Sequence, residues 1–312
     1  MSKALSQLKY FCGPLVRVFV FAALAGMALF SAAQENDTRG VTPEEFVKAR
    51  PAKSGTKPAA RPAAQPGYKL VSTTLKSSGG AMRQMGITIW RLRASVSQDG
   101  GPRILVQEGA ESVSWTPQRI ASGSLLREGD RVRISIESPS TGYLYVIDRE
   151  QYSAGKLGDP YLIFPTTRIR NGDNQVTAGK LIEVPAQEDR PNYFTLRKSK
   201  PAQTGEVLTV IVSDKPLEGV DIGPEAKVLS AEQVAGWEQK WRGQTQRFEM
   251  VGGAGHAWTK AEQEAGLDGT RRLTQDDPGP QTVYRVAVPA GQPFFTKIEL
   301  GYSTPKTAHA RQ

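Results

Sequence analysis

The amino-acid sequence predicts a mainly β protein: a two-sheet antiparallel β-sandwich with one amphipathic helix and a disordered N-terminal tether. Three observations carry this expectation. From Tyr68 onward, short runs rich in Val, Ile, Leu and Tyr recur between turn clusters. Two of them, 143–147 and 207–212, are apolar on both faces, as central strands covered on both sides would be. Others alternate with period two, as strands with one wet face do. Covered strands among half-wet ones point to two packed sheets.

Residues 1–33 have the order of an export signal. Lys3, Lys9 and Arg17 accompany an apolar run over 18–30, and Ser31 and Ala33 stand at the −3 and −1 positions before Gln34. The run is shorter than the roughly 20 apolar residues that span a bilayer. Cleavage is therefore expected near Ala33-Gln34, with membrane contact only through the signal before cleavage and a periplasmic or secreted product. The single cysteine, Cys12, leaves with the signal. The exported chain then has no disulfide, thiolate nucleophile or Cys-ligated metal. Loss of three signal cations takes the formal charge from +9 to +6. That surplus is too weak and scattered to argue for nucleic acid.

Residues 34–67 read as the tether. Thr42 to Glu45 offers a cap for a short helical turn, but Pro51, Pro58, Pro62 and Pro66 follow without apolar periodicity. The sandwich is expected over 68–245. Residues 246–303 would be a C-terminal β appendage or strands that complete the domain, and 304–312 a disordered tail.

Strands are expected at 85–93, 103–107, 131–137, 143–147, 161–164, 181–184, 193–196, 207–212, 247–251, 282–288 and 294–300. In 131–137, Val132, Ile134 and Ile136 share one face and Arg133, Ser135 and Glu137 the other, which predicts a wet outer face. Ser230 with Gln233 forms a capping pattern, and Val234, Trp237 and Trp241 make one stripe. This predicts a helix over about 230–242 packed on the sandwich edge, with its Trp stripe as core. A shorter helix is expected at 260–265.

Catalytic vocabulary is sparse. The only histidines are His256, in a Gly-rich segment, and His309, in the tail. No nucleophile elbow, zinc-protease, phosphate-loop or dinucleotide signature occurs. No cofactor is expected. The carboxylates Asp148, Glu150, Asp173, Glu188 and Asp189 lie at strand ends and turns, where turn chemistry, a hard-cation site or a glycosidase pair are the alternatives. Tyr152 and Tyr161 flank the 153–160 hairpin and are surface candidates. With Asp148, Asp173 and Asn174 they form the expected ligand-binding set, and no catalytic residue is assigned.

Three segments chain together as a pattern: Gly142-Tyr-Leu-Tyr-Val-Ile-Asp148, Tyr161-Leu-Ile-Phe-Pro165 and Gly172-Asp-Asn-Gln-Val-Thr-Ala-Gly179. With Ile182-Glu-Val-Pro185, which departs from the family pattern by two inserted residues, and Gly205-Glu-Val-Leu-Thr-Val-Ile-Val212, the stretch 86–215 resembles the bacterial family called domain of unknown function 4384. The resemblance implies a β-sandwich-like module, exported or attached to other domains, and brings no activity with it. The function expected is an exported, non-catalytic binding module of the cell envelope whose partner is an envelope protein or polymer. The alternatives are a carboxylate-dependent envelope glycan hydrolase and a Ca²⁺-stabilised structural module.

Overall fold

A computed structural model describes residues 43–53, 67–74, 79–108, 111–267 and 271–303. The expected export signal, most of the expected tether and the expected tail lie outside the described residues. In chain order the elements are α1 (Pro43–Lys48), β1 (Tyr68–Thr74), β2 (Ala81–Ala94), β3 (Ile104–Glu108), β4 (Glu111–Ile120), β5 (Leu125–Leu126), β6 (Arg131–Glu137) and β7 (Gly142–Tyr152). There follow β8 (Tyr161–Phe164), β9 (Gln175–Val176), β10 (Leu181–Val184), β11 (Phe194–Thr195), β12 (Gln203–Ser213) and β13 (Lys227–Val228). The chain closes with α2 (Ala231–Trp241), β14 (Thr245–Met250), α3 (Lys260–Leu267), β15 (Thr282–Val288) and β16 (Phe294–Tyr302). Among the described residues, no helix is long and apolar enough to cross a membrane.

Two mostly antiparallel sheets result. In the first, the 14-residue β2 is the spine. One of its edges takes β6, which in turn pairs β10 and β11. Its other edge takes β15 along 81–87 and β4 along 89–94, end to end, with β14 and β1 continuing beyond β15. The second sheet runs β13-β8-β7-β12-β16-β5, with β9 on β7. The C-terminal strands are thus inner strands of both sheets.

Period-two geometry assigns the faces. Leu144 and Val146 of β7, Leu208, Val210 and Val212 of β12, Ile134 and Ile136 of β6, and Val286 of β15 meet in one shared interior. The opposite face of the second sheet presents Tyr145, Ile147, Ile211 and Phe295, and α2 lies on it through Val234 and Trp241. The helix therefore covers a sheet face and not the edge that the sequence suggested, because β7 and β12 are apolar on both sides. Its start follows the sequence: Ser230 Oγ accepts from the Gln233 N–H at 3.2 Å.

The outer face of the first sheet departs most from expectation. Arg133, Ser135 and Glu137 are buried, at 1%, 5% and 3% exposure. A cover made of 256–267, including α3, of 271–280 and of the segment around α1 lies over them and brings charges of its own. Arg50 reaches Glu137 with two bonds, Nε to Oε1 at 3.1 Å and Nη2 to Oε2 at 2.7 Å, and gives Nη1 to the Asp277 carbonyl at 2.9 Å. Arg133 Nη2 donates to Glu183 Oε2 at 2.7 Å. Arg119 pairs with Glu262 of α3 and donates to the Gly279 carbonyl. Burial disfavours both charges of the Arg133–Glu183 pair, pulling the guanidinium pKa down and pushing the carboxyl pKa up.

Between these pairs stand two tryptophans. Trp90 and Trp258 meet edge to face at 5.9 Å, with Arg119 over Trp90 at 5.2 Å and Arg133 over Trp258 at 5.8 Å. Their indoles are satisfied by Ser135 Oγ and the Pro102 carbonyl. Two glycines permit the close approach. A Cβ at Gly266 of α3 would sit 2.4 Å from the Glu183 carboxyl carbon, and one at Gly86 would sit 2.8 Å from Pro280. Part of the expected tether is therefore structured: Val47 and Arg50 are buried against the sheet. The sequence hid this because Phe46, Val47 and Arg50 are too few to show a period.

Removing one member of a buried ion pair strands the other without solvent. Arg133→Ala is expected to lower stability by about 3–5 kcal/mol in urea unfolding, whereas replacing the exposed Arg168, paired with Glu225 on the surface, should cost less than about 1 kcal/mol.

Candidate functional site

Strand parity places an acidic and aromatic group at one end of the sandwich. β7 carries Leu144 and Val146 into the interior, so Asp148 and Glu150 follow on the same face. β12 carries Leu208, Val210 and Val212 inward, so Glu206 does as well. The register sets Glu150 opposite Glu206 and Asp148 opposite Leu208, with Asp148 flanked on its other side by Tyr161 of β8. Tyr302 of β16 completes the group.

The hydrogen bonds are specific. Glu206 Oε1 accepts from Tyr302 Oη at 2.7 Å and from Gln203 Nε2 at 2.7 Å. Glu206 Oε2 and Asp148 Oδ1 are buried without a hydrogen-bond partner. Neighbouring carboxylates in such a setting disfavour ionising together, so the protonated form of Asp148 is favoured. Burial, then the nearby Glu206 and Glu150 charges, push Asp148 up to about 8. Burial also raises Glu206, against the donors Tyr302 and Gln203. The Tyr302 hydroxyl is raised far above its usual value by burial and by Glu206, so it donates throughout the physiological range. Glu150 Oε2 accepts from Tyr152 Oη at 2.5 Å. Lys198 and Lys200 lie over the rings of Tyr302 and Tyr152, at 5.3 and 5.8 Å.

Of the residues named from sequence, Asp148, Glu150, Tyr152 and Tyr161 come together here. Tyr161 is 38% exposed and offers its ring to solvent. Asp173, Asn174, Glu188 and Asp189 do not join them. The 142–143 end of β7 pairs β9, five residues from Asp148, so Gln175 sits about 17 Å away along the strand, and Asp173 lies in the turn that leads into β9. Asp173 Oδ1 accepts from the Gln175 N–H two residues on, as a turn aspartate does. Asn174 is buried and ties itself to Leu144 through its side-chain donor and its carbonyl. Asp189 accepts from the Arg170 and Ala186 N–H groups, and Glu188 is exposed beside it. Among the described residues, no group of three or more His, Cys, Asp or Glu side chains is arranged to hold a metal ion.

Sequence reasoning missed Glu206, Gln203 and Tyr302. The signal was present for Glu206, a lone carboxylate whose parity in β12 matches the inward Leu208 and Val210. Tyr302 carried none, since its role depends on the pairing of β16 with β12.

Asp148 keeps its proton in the folded protein up to about pH 8, while an unfolded chain releases it near pH 4. The group's contribution to stability is therefore full at acid pH and is lost as pH rises from about 4 to about 8. Asp148→Asn, which holds a neutral hydrogen-bonding group at every pH, is expected to flatten the decline in melting temperature between about pH 5 and about pH 8. Thermal scans of both proteins across that range check this, and an unchanged slope would assign the decline to other groups.

Residues 125–216 match the family model described as domain of unknown function (DUF4384). The matched stretch runs from β5 through β12 and contains Asp148, Glu150, Tyr152, Tyr161 and Glu206, while Tyr302 and the cover of the first sheet lie outside it. No curated protein and no solved structure matches the chain.

Proposed function

We propose that this chain, which carries a domain of unknown function (DUF4384) over residues 125–216, is an exported, non-catalytic binding module of the bacterial cell envelope. The observation that carries the reading is the gathering of Tyr152, Tyr161, Asp148 and Glu150 at one end of a sandwich. Both outer faces of that sandwich are covered elsewhere. Rigid aromatic rings beside hydrogen-bonding carboxylates give contact area at low entropy cost, as binding surfaces require. The order of charges, apolar run and small residues in 1–33 supports export.

The hydrolase alternative draws no support from the geometry. Asp173 and Asp189 are occupied with turn backbone, and Glu188 is exposed beside Asp189. Glu206 is held by Tyr302 and Gln203 within the fold, and Asp148 Oδ1 is buried, so neither stands as a free carboxylate of a glycosidase pair.

The test is cross-linking capture from envelope fractions with the wild-type protein and with Tyr161→Ala, whose exposed ring can be removed without opening the core. A partner enriched by the wild type and lost by several-fold with Tyr161→Ala is expected. Equal capture by both proteins, or capture of nothing beyond background, overturns the reading.

A further inference from the structure

A second polar site lies where the two sheets part. Across β1, β14 and β15 the register aligns Ser72, Arg247 and Tyr284 in one row, and Thr74 with Thr245 in the next. Tyr284 and Val286 face the shared interior, so these rows also look toward the second sheet. Opposite them runs β16. Its far edge pairs only at Gly301 and Tyr302, with β5, so no strand closes it over 294–300. The space between is a cleft of about 460 Å³, with α2 at its rim. Pockets of this size take small polar ligands.

The lining is not that of an unfilled core. Thr296 is 3% exposed, and its Oγ1 has no hydrogen-bond partner. Arg247 Nε is likewise buried without one. Leaving such groups unmet costs free energy at each position, yet both stand in the cleft wall. Among the described residues Arg247 makes no ion pair, and it stands opposite Tyr284, whose hydroxyl burial keeps protonated. At the rim, Glu238 is shared by Lys297 and Arg242. Glu299 also lines the cleft, and no ion pair joins it or Glu238 to Arg247 among the described residues.

We propose that this cleft binds a small hydroxylated carboxylate of the sugar-acid class. The carboxylate would sit at Arg247, whose planar fork suits it. The hydroxyls of Ser72, Thr74, Thr245 and Thr296 would meet those of the ligand. A neutral sugar leaves the Arg247 charge unanswered, and a bare carboxylate leaves the hydroxyl rows unused. The site is separate from the Asp148–Tyr161 end, so its failure would leave the envelope-partner reading standing, and the reverse holds too.

The experiment is titration of the purified protein with glucuronate, glucose and acetate, followed by calorimetry and by amide chemical shifts. Saturable glucuronate binding is expected, with shifts at Thr245, Arg247 and Thr296 and with glucose and acetate each weaker by about tenfold or more. Arg247→Gln should lower glucuronate affinity by a similar factor, and Thr296→Val, close in shape but without the hydroxyl, should lower it less. Thermal unfolding of both variants reports that they fold. No saturable binding of glucuronate overturns the proposal. So do glucose binding equal to glucuronate, undiminished affinity in a folded Arg247→Gln, and shifts confined to residues outside the cleft.

Discussion

Three arginines stand on the outward face of the first sheet or over it, where a two-layer sandwich would leave them in water. Here Arg50, Arg119 and Arg133 are all buried, and each is matched by a glutamate in hydrogen-bond contact. Desolvating a charge costs several kcal/mol unless a partner and further hydrogen bonds replace the lost water. Much of the remaining architecture meets that demand. α3 arrives with Glu262, the 271–280 segment supplies the Asp277 and Gly279 carbonyls, and the N-terminal segment brings Arg50 to Glu137. Trp258 and Trp90 fill the space between the pairs and place aromatic faces against two guanidinium groups. Such pairs are weak sources of net stability. They act instead on geometry: the cover meets the sheet through Arg50–Glu137 and Arg119–Glu262, while Arg133 meets Glu183 of the neighbouring β10.

Residues 125–216 contain β5 to β12, but the interior they line is closed by β2, β15 and β16, which lie outside the match. β6 within the match pairs with β2 outside it over seven positions, and β12 pairs with β16 over eight. The matched stretch supplies three of the nine strands of the first sheet and five of the seven of the second. Its apolar inner faces need the flanking strands, so the folding unit is larger than the family segment.

How much of this was legible follows from which rules are local. Period-two alternation located most strands, and the double-sided runs at 143–147 and 207–212 correctly marked β7 and β12 as central. β4 escaped because Pro117 interrupts it, and proline lacks the donor that a ladder position ordinarily uses. The face of β6 was read as wet because polarity along one strand reports side-chain chemistry, not what lies above it. The covering glutamate and carbonyls come from more than 100 residues downstream, as with Arg119 and Glu262. Of the acidic end, Asp148, Glu150, Tyr152 and Tyr161 were found because they end or adjoin recognisable strands. Their separation from Asp173 and Asp189 depended on register, which single-strand patterns do not carry.

The same parity rule that builds the interior also places both polar sites, and this explains why they lie at its margins. An inward-facing position on a central strand must be apolar while the two sheets are in contact. Beyond that contact the same face can turn polar without breaking the alternation. On β7 and β12 the change comes at Asp148 and Glu206, where the inward positions bury carboxyl oxygens whose charges oppose each other. On β14 and β15 it comes at Arg247 and Tyr284, where the sheets have already diverged and a guanidinium faces open space. One margin is therefore acidic and closed on itself, and the other is cationic and unfilled. The difference rests on partners: Glu206 finds Tyr302 and Gln203 within the fold, whereas among the described residues no carboxylate pairs with Arg247.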